Sequence, residues 1–227
     1  MSWFSQTLSG SVGKKLLMSL TGLFLILFLV IHLAGNLQLL FNDNGRAFNI
    51  YATSMANNPF IKVVSYGNFF FIALHIVIGI ALTIQNKAAR KVGYDVSTKD
   101  TKSSWASRNM PLLGIITLIF IIGHLKGFWF EFKFGDIPFV NYDGEQIKDV
   151  YQIIATAYMN PFIVAFYTVC MIALGFHLSH GFQSAFQSLG LNHKKYSPFI
   201  STLGTLYSIL VGVGFACIPI IMYVKSL

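Results

Sequence analysis

Five apolar runs constrain this chain more than anything else in it: Leu16–Leu40, Val63–Ile84, Met110–Phe130, Pro161–Leu189 and Phe199–Val224. Each reaches the roughly 20 residues that an α-helix needs to cross a hydrocarbon core. Inside that core every backbone N–H and C=O must find a partner within the segment, so spanning helices are expected and open strands are not. Composition agrees. Of the 227 residues 55% are hydrophobic and 11% charged, against roughly a quarter charged in soluble domains. The sequence predicts an all-α polytopic membrane protein with five transmembrane helices and one domain over residues 1–227. Its prosthetic groups, if any, would lie inside a bundle of the first four. No internal repeat or low-complexity tract interrupts it.

The remaining chain-wide features exclude several classes. Basic residues lie in short connections between apolar runs, which argues against nucleic acid as a partner. Cys170 and Cys217 each sit inside an apolar run, and no CxxC or CxxCH occurs. Covalent haem attachment, zinc ribbons and a disulfide framework therefore lack support. The run after Lys14-Lys15 is longer than a signal-peptide core and has no small-residue cleavage site, so no cleavable leader is expected. Most Lys and Arg, including Lys14, Lys15, Lys87, Arg90, Arg108 and Lys194, fall on one side of the five spans. Most acids, including Asp43, Glu131, Asp136, Asp143 and Asp149, fall on the other. The positive-inside rule puts the first side and the N-terminus in the cytoplasm, and the C-terminus outside. The stretch Trp129–Tyr158 then faces outward, long enough to cover something there.

The chemistry sits on histidines. His177 and His180 continue the fourth apolar run at membrane depth, where an imidazole is costly and marks a functional site by default. Gly181 follows His177 at i+4, on the same helical face. A glycine there lets something flat and bulky lie against the backbone. The pattern recurs as His32 with Gly35, His75 with Gly79 and His124 with Gly127. Counted from the cytoplasmic helix ends at 1.5 Å per residue, His75 and His177 form one level and His32 and His124 an outer level a few residues away. Two imidazoles facing each other from different helices are the axial ligands of a bis-histidine haem. A lone membrane histidine is more often a hydrogen-bonded packing residue; four on separate helices, each with its glycine, favour ligation. A zinc or iron transport path, or a proton relay, ordinarily carries carboxylates beside its histidines, and none lies at histidine depth here. His180 has Ser184 at i+4 and reads as a neighbour of the ligand or a propionate partner. His193 lies in a polar turn.

At these residues the chain resembles a known family. It is similar to the cytochrome b subunit of succinate dehydrogenases and fumarate reductases, the single large anchor with five helices and two haems b. The resemblance runs over nearly the whole chain, through Lys15–Gly22, Ile31–Asn36, Leu74–Gly79, Gln85–Arg90, Trp105–Met110, His124–Trp129 and, most specifically, Phe176–Gly190. It implies a proximal haem on His75 and His177 and a distal haem on His32 and His124, with His177 rather than His180 as ligand. It implies a flavoprotein subunit carrying FAD and an iron–sulfur subunit on the cytoplasmic face, with the basic stretch Lys87–Arg108 in the docking surface. It also implies menaquinone or another quinone as electron partner, in the lipid of a bacterial cytoplasmic membrane. Relatives that carry a glutamate just after the first helix differ from this chain, which offers only Asp43 there.

The chain has no dinucleotide fingerprint or cysteine cluster, so oxidation of succinate itself is not expected of it; its part would be electron transfer. The alternatives are a dihaem cytochrome b of another quinone-linked dehydrogenase or hydrogenase, or a histidine-lined transporter. Ser19, Trp105 and Arg108 lie where cytoplasmic-side propionates would need donors. Near the outer level, Asn36 follows His32 at i+4 and Glu131 follows His124 at i+7, with Lys126 close by. These three are the candidates for a quinone site, with Glu131 partly buried as a proton donor.

Overall fold

A computed structural model describes residues 10–89 and 104–227. The chain opens with α1 (Ser11–Asn36), extended by a 3-10 turn over Leu37–Leu40. Then come α2 (Arg46–Asn57), α3 (Pro59–Ala89), the single turn α4 (Trp105–Arg108) and α5 (Met110–His124). A π turn over Leu125–Phe130 leads into α6 (Glu131–Phe134). The strands β1 (Phe139–Tyr142) and β2 (Glu145–Lys148), α7 (Val150–Tyr158), α8 (Pro161–Ser188) and α9 (Ser197–Ser226) complete it. Five helical stretches are long and apolar enough to cross a membrane: 11–40, 59–89, 110–134, 161–188 and 197–226. The protein is an all-α, multi-pass membrane protein.

Local chemistry explains the helix ends. Asn58 accepts hydrogen bonds from the amides of Phe60 and Ile61, and Asn160 from that of Phe162, so each caps a helix whose first residue is proline. Proline is tolerated there because its missing N–H would have been unpaired anyway. Gly190, at φ +76°, turns the chain out of α8 in the left-handed region that L side chains avoid.

The spans pack as a ring. α1 lies against both α3 and α8, α5 lies against α8, and α3 meets α5 along a short stretch only. In the order α1, α3, α5, α8, the diagonals are α1 with α5 and α3 with α8. α9 stands outside the ring, packed most extensively on α8. Gly175 and Gly212 allow that approach: a Cβ at Gly212 would lie 3.3 Å from the carbonyl oxygen of Met171. The Tyr207 hydroxyl of α9 also donates to the carbonyl of Ile26 at 2.7 Å, tying α9 to α1. α8 is the most buried span, while α3 and α5 bury few residues.

Two features depart from the sequence expectation. Strands are not expected from the sequence, yet β1 and β2 pair as an antiparallel hairpin, with Asp143 and Gly144 at positive φ in its two-residue turn. That expectation rests on hydrocarbon having no partner for a sheet edge, and this hairpin lies in the connection between the third and fourth spans. There it packs with α2 and α7 into a cap. Asn49 of α2 holds the cap together. It is fully buried, and its Nδ2 donates to Asp149 Oδ1 (2.9 Å) and the Tyr142 hydroxyl (3.2 Å). Its Oδ1 accepts from the amide of Tyr151 at 2.9 Å. Asp43 accepts from the amides of Gly45 and Ala47 and so caps α2, while Arg46 pairs with Asp143 in the hairpin turn. The basic stretch Lys87–Arg108 falls for the most part outside the described residues, as do residues 1–9.

Leaving a buried hydrogen-bonding group without its partner costs about 1–3 kcal/mol, and Asn49 serves three. Asn49→Leu is expected to open the cap while the five spans stay inserted. Limited proteolysis should then cut within residues 139–148 of the variant under conditions that leave the parent intact.

Candidate functional site

The four membrane histidines meet as two pairs, each spanning a diagonal of the ring. His75 of α3 faces His177 of α8 with ring centroids 6.3 Å apart and planes at 64°. His32 of α1 faces His124 of α5 at 5.8 Å and 88°. These helices have little or no backbone contact with their diagonal partners, so the imidazoles bridge the interior.

The pairs lie at separate depths. Thr21 of α1 touches His75, and eleven residues of helix separate Thr21 from His32, which is roughly 16 Å. On α5, Gly114 lies beside His177 and ten residues before His124, roughly 15 Å. Counting along the sequence had put only a few residues between the levels. The difference arises because the apolar runs do not begin at a common depth: α1 starts at Ser11, five residues before its apolar run.

Aromatic rings line the outer pair. Phe28 stacks on His32 at 5.0 Å and Phe120 on His124 at 5.4 Å, while Phe128, Tyr167 and Phe215 of α9 close the sides. The inner pair is flanked by small groups. A Cβ at Gly22 would lie 3.4 Å from His75 Cε1, and one at Gly114 would lie 3.9 Å from His177 Cε1.

The imidazole nitrogens differ in their partners. Nδ1 of His75 lies 3.0 Å from the Thr21 hydroxyl. Nδ1 of His32 lies 3.4 Å from the Asn36 amide, whose Nδ2 donates at 2.8 Å to the His32 carbonyl. Nδ1 of His124 and Nδ1 of His177 are buried without a hydrogen-bond partner. Polar atoms sealed in this way are rare in native interiors and call for a ligand or some other explanation.

A haem fits this donor set. Among the described residues no three of His, Cys, Asp and Glu converge as a bare cation would require. Each pair offers two opposed imidazoles, which suits a metal that brings its own equatorial ligands. Two metal–imidazole bonds of about 2 Å each, plus about 1 Å from nitrogen to ring centre on either side, place the centroids about 6 Å apart. The observed separations are 6.3 and 5.8 Å.

The glycines are not equivalent. Gly127 and Gly181 face open space, with nothing within 4 Å of an added Cβ. The place beside Gly35 is taken by the Tyr51 ring of α2, 2.5 Å from where a Cβ would be, and that beside Gly79 by the Met18 methyl at 3.1 Å. At those two positions the missing side chain admits a protein neighbour rather than a flat ligand.

Other candidate residues fall as follows. Ser19 is buried, with its hydroxyl donated to the Lys15 carbonyl at 2.9 Å, so its proton is committed to its own helix. Trp105 packs edge-on against Phe176, the neighbour of His177, with ring centroids 5.4 Å apart, and exposed Arg108 ends the same turn. His180 lies within reach of His177 electrostatically but enters neither ring pair. His193 stacks on Tyr196 in the turn before α9. Asn36 stays beside His32, and Lys126 is exposed on the π turn. Glu131 is a correction: it is exposed, its carboxylate curls toward Gly135, and it is not partly buried. The π turn adds a residue to the helical repeat, so a spacing of seven no longer returns Glu131 to the face of His124.

Sequence reasoning missed Thr21, Gly22, Gly114 and Asn68. Asn68 lies seven residues before His75 on α3, is 8% exposed, and has a sealed, unpartnered Oδ1. Its spacing from His75 was visible. For Thr21 and the glycines, only the helix crossings reveal which histidine each one meets. No protein-family model, curated protein or solved structure matches the chain.

Gly35→Ala forces its methyl into the Tyr51 ring, and overpacking of this kind costs about 1–3 kcal/mol. The variant should melt at a lower temperature in detergent.

Proposed function

We propose that this chain is the dihaem cytochrome b membrane anchor of a succinate:quinone oxidoreductase or quinol:fumarate reductase. It passes electrons between an iron–sulfur subunit and a membrane quinone. The observation that carries the reading is the pair of opposed imidazole couples, stacked roughly 16 Å apart along α1 and separated as bis-imidazole ligation requires. His75 and His177 would hold the inner haem b, and His32 and His124 the outer one. Each haem, when bound, supplies a one-electron carrier whose potential its ligands and surroundings tune.

The protein's own residues then have defined parts. The four histidines fix two sites at different depths, so an electron moves across part of the membrane. That movement couples to the membrane potential at about 2.3 kcal/mol per charge per 100 mV. Phe28, Phe120, Phe128 and Tyr167 surround the outer pair with apolar rings and exclude water. Trp105 and Arg108, beside the α8 segment that carries His177, would serve propionates on the cytoplasmic side, with His180 nearby. Asn36 and Lys126 remain the polar groups near the outer pair for a quinone, menaquinone by resemblance. Glu131 in its exposed position does not serve as a buried proton donor.

The same reading places the chain in a bacterial cytoplasmic membrane, N-terminus inside, with a flavoprotein carrying FAD and an iron–sulfur subunit on the cytoplasmic face. A cysteine at Gln146 should accordingly react with an impermeant thiol reagent in intact cells, and one at Lys194 only after permeabilisation. The reverse labelling would invert the topology.

Purified from its native membrane, the protein should carry two acid-acetone-extractable b haems per chain and bring a flavoprotein with it. His75→Ala and His177→Ala should lose one and the same haem in reduced-minus-oxidised spectra. His32→Ala and His124→Ala should lose the other, and His180→Ala should keep both. Two haems without the flavoprotein would point to the anchor of another quinone-linked dehydrogenase or hydrogenase. No haem would point to a histidine-lined transporter.

A further inference from the structure

We infer that Thr21 is a positioning residue for His75: it fixes the imidazole tautomer and strengthens its donor nitrogen, and so lowers the reduction potential of the inner haem. The inference rests on the dihaem reading and deepens it.

The argument starts from one hydroxyl proton. Thr21 is 1% exposed, so water does not serve it. Its Oγ1 lies 2.9 Å from the Leu17 carbonyl oxygen, 3.0 Å from that of Met18, and 3.0 Å from His75 Nδ1. Carbonyl oxygens only accept, so the threonine proton goes to them. What Oγ1 then presents to His75 is a lone pair. A 3.0 Å contact between that lone pair and Nδ1 is favourable only if Nδ1 carries the imidazole proton. His75 is therefore the Nδ1–H tautomer, and its Nε2 holds the free electron pair. No hydrogen bond to that Nε2 exists among the described residues, and the ring faces His177 across 6.3 Å.

Metal-bound histidines ordinarily donate their second N–H to an oxygen, which fixes the ring and makes the ligand more basic. Thr21 occupies that role for His75. The other three histidines have no comparable oxygen. Nδ1 of His124 and of His177 have no partner. His32 has only the Asn36 amide nitrogen at 3.4 Å, already committed to the His32 carbonyl. One imidazole of the inner pair is thus anchored by a hydroxyl acceptor, and neither of the outer pair is. Gly22, the next residue, leaves room for the ring, since a Cβ there would reach 3.4 Å from His75 Cε1. The Thr21-Gly22 dipeptide accordingly sets both the proton position and the seat of this imidazole.

An imidazole that donates from Nδ1 gives more electron density through Nε2 and favours the more highly charged ferric iron. Removing the acceptor should raise the potential of that haem alone. Thr21→Val keeps the shape and deletes the acceptor; Thr21→Ser keeps the acceptor. The test is a spectroelectrochemical titration of the intact purified complex, with low-spin haem EPR. The spectrum of the His75→Ala variant identifies the inner haem. Thr21→Val should shift the reduction equilibrium of the inner haem upward about tenfold, or about 59 mV for one electron, move its g-values, and leave the outer haem unchanged. Thr21→Ser should titrate like the parent. Both midpoints unchanged in Thr21→Val would overturn the inference while leaving the dihaem reading standing. If Thr21→Val loses the inner haem, Thr21→Ser decides. Retention at the parental potential supports the acceptor role, and equal loss in both overturns it in favour of packing. A parent complex without haem removes the dihaem reading and this inference together.

Discussion

An imidazole inside a hydrocarbon layer is costly to bury, and the arrangement of this bundle is best read from where four of them meet. The histidines project from four different helices and meet across the two diagonals of the ring. A diagonal meeting needs an interior wide enough for two opposed rings. That interior in turn needs helices that lean on their ring neighbours rather than on each other across the middle. α1 and α8 supply most of this support, packed on each other and on the flanking helices, with α9 buttressing both from outside. α3 and α5 contribute one imidazole to each couple and little burial of their own.

The two levels are built differently. The outer couple sits among aromatic rings, and the inner couple beside a hydroxyl and two glycines. Apolar rings lower the local dielectric and would keep water from a group bound there. A hydroxyl acceptor acts through the ligand itself. On the proposed dihaem reading, these different surroundings would give two chemically identical groups different potentials. Above the outer couple, α2, the hairpin and α7 form a cap centred on Asn49. Tyr51 of α2 fills the notch at Gly35, one turn from His32, so cap and outer couple are mechanically joined.

The five spans, the all-helical membrane class and the four histidines were legible because each depends on local chemistry. Length and apolarity determine a span, and a histidine at membrane depth stands out against the residues around it. Asn36 beside His32 was legible for the same reason, since i and i+4 meet on any α-helix. The same rule failed for Glu131, because it assumes a regular helix and the π turn over Leu125–Phe130 breaks the repeat. The hairpin was missed because the argument against strands applies to lipid and not to the connection between spans.

What the sequence by itself determined is therefore what a single helix contains: which segments cross, which residues they carry and how far along they lie. Tertiary structure decided which helices oppose each other and what fills each notch. Nothing local says that Gly35 and Gly79 admit Tyr51 and Met18 while Gly127 and Gly181 face open space. Nor does anything local say that Thr21 of α1 reaches His75 of α3, a contact across 54 residues of chain. Spacing along one helix follows from a fixed rise and turn. Contact between helices depends on where they cross, and that is set by the packing of all of them together.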